Sequence, residues 1–147
     1  MTNLQLADKW VRIAICAIAF MAVASAFSPW YSYHLRNKSL TRAEQRENIE
    51  SLHLAEKAVF YNPLSIDALF VLAGAEQKLG RISETRATLM KAVELQPQNY
   101  ITWEQLAIYE RDRWGDPQSA AAHFEKAIEL NPHDRQLQIR AGKSGRQ

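Results

Sequence analysis

The sequence is poor in cysteine, and acidic residues are nearly absent from its two ends. Only one of its 147 residues is cysteine, so no disulfide can form within the chain and no cysteine-rich zinc site can be built. Residues 1–40 contain one acid and residues 135–147 contain none, whereas residues 64–134 contain eleven acids against seven bases. A body that binds nucleic acid is expected to be basic, so this acidic centre excludes nucleic acid as a partner.

The chain also lacks the residue groupings that catalysis or metal binding requires. Cys16 lies within an apolar run, where a thiol behaves as a small hydrophobe. The segment 142–145 is similar to the end of a phosphate-binding loop, but Leu137 stands where the preceding glycine would be. The four histidines are scattered, with no H-E-x-x-H spacing: His34, His53, His123 and His133. The sequence therefore predicts no enzyme, no metal and no cofactor.

A long apolar run lies near the N-terminus. From Ile13 to Phe27, fourteen of fifteen residues are apolar. With its flanks, the segment from Trp10 to Tyr31 has 22 residues, or about 33 Å of helix, and a bilayer span needs about 20 residues. Aromatic and basic side chains favour the headgroup layers. The expected membrane-interface residues are Trp10, Arg12, Trp30, Tyr31 and Tyr33. The run predicts one transmembrane helix, with the lipid bilayer as a partner.

A cleaved signal peptide is the alternative interpretation of this run. Lys9 and Arg12 would form its charged region, residues 13–23 its apolar region, and Ala24-Ser25-Ala26 its cleavage site. The aromatic cluster directly after the run favours a retained anchor instead.

Membrane orientation follows from the basic residues on either side of the run. Lys9 and Arg12 precede it, and four bases follow it: Arg36, Lys38, Arg42 and Arg46. The positive-inside rule favours a single-pass protein of a bacterial inner membrane with its C-terminal domain in the cytoplasm. A periplasmic domain remains the alternative.

The rest of the chain shows an internal repeat. Pro63, Pro97 and Pro132 close similar segments and are 34 and 35 residues apart. Each interval contains two helical patterns of apolar residues, joined by a turn at Gly80 or Gly115. Neither hairpin can bury its apolar stripe alone, but stacked hairpins can. The sequence therefore predicts an all-α solenoid.

The repeats resemble the tetratricopeptide repeat (TPR). Repeat one is Ile66–Asn99 and repeat two is Tyr100–Asp134, with one residue inserted near Arg113 and Trp114. The region 31–50 is not expected to continue the pattern. The matching positions of repeat two are Trp103, Leu106, Ala107, Gly115, Ala120, Phe124, Ala127 and Pro132.

Four domains are predicted. Residues 1–33 form the N-terminal tail and transmembrane helix, and residues 34–65 a juxtamembrane segment with a capping helix near Thr41–Tyr61. Residues 66–134 form the two repeats, and residues 135–147 a short capping helix and a basic tail. The helix is expected around Leu137–Ala141 and would cover this edge of the repeats only weakly. Because two repeats are fewer than the three that usually stand alone, a partner is expected to complete the fold.

The resemblance implies a partner-binding groove along the first helix of each repeat. Its residues would be Asp67, Phe70, Gly74, Gln77, Lys78, Ile101, Glu104, Ile108, Arg111 and Asp112. Some relatives grip the acidic tail of a chaperone with a carboxylate clamp. Here Phe70 and Glu104 replace its lysines, and Gly74 and Ile108 its asparagines, so that ligand is not expected. The apolar positions favour an apolar helix or peptide, or packing against a neighbouring helix of the chain.

The function predicted from these features is non-catalytic protein–protein interaction. The chain would be an accessory or assembly subunit of a larger membrane complex, and its partners would be other, membrane-embedded protein subunits. A second hypothesis is an accessory role in cell-envelope polysaccharide assembly, since Asn62–Leu69 resembles the repeat tail of O-antigen ligase-like proteins. A third is a periplasmic maturation factor released by signal cleavage.

Overall fold

The computed structural model describes residues 3–142, apart from the side chains at positions 3–9, 24 and 26. This part of the chain is helical, with no strand. A π-helical turn, Glu110–Trp114, follows the fifth helix. The helices are α1 (Asn3–Glu44), α2 (Asn48–Tyr61), α3 (Ile66–Lys78), α4 (Ile82–Leu95), α5 (Tyr100–Tyr109), α6 (Pro117–Leu130) and α7 (Arg135–Gly142).

The helices pack as consecutive antiparallel hairpins. Helix α3 pairs with α4 and α5 with α6, and α4 packs on α5 to join the two hairpins. Small residues allow the close approach: Ala73, Ala92, Ala107, Ala120 and Ala127 are all buried. Leu106 and Phe124 fill the spaces between the helices. The predicted helical hairpins are confirmed.

The structure contains one more hairpin, which the sequence pattern did not predict. It is formed by α1 and α2 and precedes the other two, so we call it the first hairpin. The C-terminal part of α1 packs along α2, and α2 packs on α3. Leu35 and Ser39 are buried, and Ser39 Oγ lies 3.1 Å from Ser51 Oγ and donates to the Ser51 carbonyl at 2.7 Å. Leu35 and Ser39 precede Leu69 and Ala73 by 34 residues, the period of the array. The helical hairpin is therefore repeated through residues 31–50, although their residue types do not follow the pattern of the later repeats.

This hairpin changes the predicted cap. A single helix was expected near Thr41–Tyr61, but α1 runs to Glu44 and α2 begins at Asn48. Arg46 lies between them at φ 63, in the left-handed region that stops a helix. Helix α1 also continues without a break through the predicted boundary between residues 33 and 34.

The loops between hairpins share one construction. A capping side chain stands two residues after each proline. Ser65 Oγ accepts from the Ala68 amide at 3.2 Å, and Asn99 Oδ1 accepts from the Ile101 amide at 3.0 Å. Asp134 Oδ1 accepts from the Leu137 amide at 3.0 Å. These caps satisfy backbone donors at the start of α3, α5 and α7 and fix where each helix begins.

The residue inserted in repeat two is accommodated by the π-helical turn. Glu110–Trp114 adopts this wider spiral directly after α5, at the place where the insertion was predicted. Gly115 then takes a left-handed conformation, φ 79, and ends the helix. Its amide donates to the Glu110 carbonyl at 2.9 Å.

Helix α7 closes the C-terminal end of the array. Leu137 is fully buried and packs with Phe124 and Ala127 of α6. Ala141 contacts the same cluster. The short helix expected here exists, and it covers the last hairpin more completely than its sequence suggested.

The N-terminal half of α1 has an apolar, exposed surface, unlike the packed helices of the hairpins. It is the one helix in the described part of the chain that is long and apolar enough to cross a membrane, judged by length and composition. Its large apolar side chains are exposed from Trp10 to Phe27. The repeats therefore do not cover this segment.

Candidate partner-binding cleft

A cleft lies between α3 and α5, the first helices of the two predicted repeats. It encloses about 320 Å³. The first-helix residues that line it are Phe70, Ala73, Gly74, Gln77, Gln105, Ile108 and Tyr109. Thr85 and Leu89 of α4 form its floor, and Asp112 and Arg113 of the π-helical turn lie at one end. Its lining combines apolar side chains, such as Phe70 and Ile108, with polar ones, such as Gln77 and Asp112.

Half of the predicted groove residues meet at this cleft. Phe70, Gly74 and Gln77 come from α3, and Ile108 and Asp112 from α5 and the turn. No atom other than the local backbone lies within 4 Å of a Cβ built on Gly74. The absent side chain at this position therefore opens the cleft.

Two predicted groove residues on α3 are held by the first hairpin. Arg36 Nη1 donates to Asp67 Oδ2 at 2.8 Å. Lys78 Nζ donates to the Ala43 carbonyl at 3.4 Å. Both contacts are made by α1, so these residues join the first two hairpins instead of lining the cleft.

The other three predicted residues lie on the second repeat, outside the cleft lining. Ile101 is 39% exposed. Glu104 is buried, with Oε1 2.5 Å from Arg140 Nη2, and Arg111 Nη1 donates to the Arg140 carbonyl at 3.0 Å. Helix α7 thus covers the surface along which the groove would continue.

Several lining residues were not predicted as part of the groove. Leu89 and Thr85 belong to α4, a second helix, whereas the groove was expected along the first helices. Tyr109 is buried, and its hydroxyl donates to the Ile82 carbonyl at 2.7 Å. Gln105 also lines the cleft, and its spacing of three residues before Ile108 and four after Ile101 could have placed it on the groove face.

Asp112 and its neighbours set the charge at the end of the cleft. Arg111 Nε and Nη2 donate to the two carboxylate oxygens of Asp112 at 2.6 and 3.1 Å. These bonds lower the pKa of Asp112 below its ordinary value, with a smaller contribution from the charge of Arg113. The carboxylate is therefore ionised at neutral pH and partly neutralised by its neighbours.

A buried ionic cluster supports the π-helical turn behind the cleft. Glu110 is fully buried, and Arg86 Nη2 and Nε donate to its Oε1 at 2.7 and 3.0 Å. His123 Nδ1 lies 2.7 Å from Oε2. The carboxylate thus links α4, the turn and α6. It is fully occupied by structural partners, which favours a positioning role over chemistry.

The predicted membrane-interface residues are divided between two environments. Trp10, Trp30 and Tyr33 are more than half exposed, and Arg12 lies on the same helix. Tyr31 is partly buried and meets the Tyr61 ring edge-on, with centroids 4.7 Å apart. Tyr31 thus takes part in the packing of the first hairpin.

A comparison with known protein families identifies the two repeats. A family model described as tetratricopeptide repeat matches residues 66–99 and 102–134. No curated protein sequence shows significant similarity to the chain. These two segments are tetratricopeptide repeats.

Solved structures with similar folds extend over more of the chain. The first TPR domain of Spaghetti (RPAP3), bound to an HSP90 peptide, matches with a TM-score of 0.67 at 16% identity, over 79% of this chain and 91% of that one. The Sgt2 TPR domain from Aspergillus fumigatus matches with 0.66 at 18% identity, over 77% and 76%. SycD of Yersinia enterocolitica, in complex with a YopD peptide, matches with 0.66 at 10% identity, over 76% and 87%.

These similarities show the fold. The RPAP3 domain matches 79% of this chain, which is more than the two repeats contain. The match therefore includes part of the first hairpin. TPR domains are in general non-catalytic interaction modules. No group of three potential metal-binding side chains occurs in the described residues.

Proposed function

We propose that the chain is a membrane-anchored TPR protein that binds a segment of another protein in the cleft between α3 and α5. It would act as an accessory or assembly subunit of a larger complex of a bacterial inner membrane, with the repeats on the cytoplasmic side. The observation that carries this proposal is the combination, on one chain, of an open apolar cleft and an uncovered apolar helix. The cleft accounts for binding a partner, and the uncovered helix accounts for anchoring in the membrane.

The exposure of the N-terminal segment supports the anchor. Ile13, Ile18, Phe20 and Val23 are each 57–76% exposed, on all sides of the helix. Burial of apolar surface stabilises by about 25 cal/mol per Å², so leaving such a segment in water is costly. A helix that is apolar all round is typical of a membrane span. We therefore assign residues 10–27 to the bilayer.

The chemistry of the cleft indicates the kind of segment it would bind. RPAP3 and SycD, whose folds are similar, are seen with bound peptides. Phe70 and Ile108 give this cleft apolar walls instead of a carboxylate clamp. We propose that the ligand inserts one or two apolar side chains and that its polar groups meet Gln77 and Asp112 at the rim.

Photo-cross-linking in native membranes tests the cleft. A photoreactive residue would replace Gln77, which is exposed and lines the cleft, or Lys91, which is exposed on α4 and is not a lining residue. We expect a protein adduct from position 77 and a much weaker one from position 91. Equal labelling from both, or no adduct from 77, would contradict the proposal.

Substitution at Gly74 provides a matched pair for the same assay. Gly74→Arg places a long side chain in the cleft and should abolish the adduct at position 77. Gly74→Ala should keep the adduct, because the added Cβ meets no other atom within 4 Å. Since alanine is favoured over glycine inside a helix, this control should also raise stability by about 0.5–1 kcal/mol, measured by urea unfolding.

A further inference from the structure

The end of the first hairpin nearest the apolar helix carries exposed apolar side chains of its own. Phe60 is 80% exposed and Leu64 is 70% exposed. Trp30 and Tyr61 are also exposed, at 60% and 37%. We name these four residues the apolar collar.

Contacts place the collar beside the end of the apolar segment. The Ser28 hydroxyl contacts the Tyr61 carbonyl, and Phe27 stacks on Tyr31 with ring centroids 5.6 Å apart. Tyr31 in turn packs on Tyr61, which meets Phe60 edge-on at 5.4 Å. The end of α2 therefore lies at the height of residues 27–31, where the uncovered segment of α1 ends.

The repeats supply an internal comparison for the two most exposed members. Phe60 precedes Glu94 by 34 residues, and Glu94 precedes Glu129 by 35. Leu64 stands in the same way before Gln98 and His133. All four later residues are exposed and polar. The repeat fold therefore does not require apolar residues here, and they occur only in the hairpin that adjoins the apolar helix.

We infer that the collar lies in the headgroup layer of the bilayer and forms a second membrane contact beside the α1 anchor. This inference depends on the proposed membrane span. If residues 10–27 cross the bilayer, about 27 Å of helix, with Trp10 and Arg12 at one interface, then residues 28–31 and the collar enter the interfacial layer on the other side. Aromatic side chains favour that layer because they combine an apolar body with a polar group. The continuity of the collar with the span favours lipid as its occupant over a second copy of the chain.

Spin-label accessibility of the full chain tests this inference. The protein would carry Cys16→Ser and one nitroxide, at position 18, 60, 64 or 94, in nanodiscs of phosphatidylethanolamine and phosphatidylglycerol. Circular dichroism would confirm that each variant is helical. We expect the ratio of oxygen to nickel-chelate accessibility to be several-fold higher at positions 60 and 64 than at position 94, and highest at position 18.

Each other outcome overturns the inference in a distinguishable way. If position 18 lies in lipid but positions 60 and 64 match position 94, the collar is in water while the anchor stands. If positions 60 and 64 are shielded from both reagents, the collar is covered by protein. If position 18 itself is in water, the membrane span fails and the collar inference fails with it.

Discussion

At the residue scale, three equivalent turns differ in the residue that occupies them. Arg46, Gly80 and Gly115 all have positive φ, at 63°, 71° and 79°. Arg46 and Gly80 are 34 residues apart, one period of the array. A left-handed conformation costs a residue with a Cβ roughly 1–2 kcal/mol, whereas glycine adopts it freely. The first hairpin therefore carries backbone strain that the other two avoid.

Arg46→Gly should stabilise the protein by roughly 0.5–1 kcal/mol. The gain in backbone energy exceeds the added freedom of the unfolded chain. The measurement is the free energy of urea unfolding of the full chain in detergent. Gly80→Arg is the reciprocal control, since its Cβ would meet open space and only the strain changes. If both substitutions destabilise, the strain at position 46 is not the cause.

Glu76 links stability to pH. It is buried, with Oε2 unpartnered, and burial raises its pKa above the ordinary 4.5, with smaller raising contributions from Glu84 and Glu56. The folded state therefore holds its proton more tightly than the unfolded state. Stability due to this group is present below pH 4.5 and is lost as the pH rises through the folded pKa.

Glu76→Gln should therefore raise the free energy of unfolding by about 1 kcal/mol at pH 7, because the amide is neutral in this buried site without having to hold a proton. The difference from the native protein should shrink as the pH falls towards 4.5. Unfolding curves at a series of pH values measure it. The exposed Glu94→Gln serves as the control and should show little effect at any pH. A constant difference between pH 4.5 and 7 would contradict the assigned cause.

At the element scale, the sequence predicts the second and third hairpins well and the first one poorly. Repeats whose small positions are alanine and whose turns are glycine are recognised directly, as in Ala73 with Gly80. In the first hairpin Ser39 fills the small position and Arg46 the turn. Ser39 still fits because its hydroxyl bonds to the Ser51 carbonyl at 2.7 Å. Packing and hydrogen bonding thus preserve the element where the pattern of residue types is lost.

The extent of α7 was also underestimated, and its packing leads to a prediction. Leu137 is fully buried against α6, whereas Ile139 on the same helix is 44% exposed. Leu137→Ala should destabilise by roughly 2–4 kcal/mol and speed amide exchange in α6, because it leaves a cavity. Ile139→Ala should cost much less. Hydrogen exchange with mass spectrometry measures both variants, and equal effects would show that α7 does not cap the array.

At the scale of the whole molecule, the candidate cleft was only partly predictable. The resemblance to TPR identified Phe70, Gly74 and Gln77, because it implies which positions of a first helix face the groove. It did not show that Glu104 is covered by α7 or that Asp67 pairs with Arg36 at 2.8 Å. Both outcomes depend on neighbouring elements that the two-repeat pattern does not contain.

The uninterrupted passage of α1 from the apolar segment into the first hairpin fixes the orientation of the repeats. Insertion of the four residues Gly-Ser-Gly-Ser between Phe27 and Ser28 should interrupt α1 and free the repeats from the orientation of the apolar segment. In oriented bilayers, the amide I dichroism of the full chain should fall, because the helices of the three hairpins no longer keep one angle to the membrane. The same four residues appended after Gln147 should have no effect. Unchanged dichroism after the internal insertion would mean that the repeats are not held by α1.

The capping pattern at the C-terminal end has a consequence for how the array can grow. Asp134 follows Pro132 as Ser65 follows Pro63, so a further first helix begins there, of which α7 provides about two turns. A consensus TPR hairpin inserted at that point could therefore pack on α6, as α7 does through Leu137. At the opposite terminus the leading helix is committed to the apolar segment. The solenoid can therefore be extended by a designed hairpin at its α7 end and not at its α1 end.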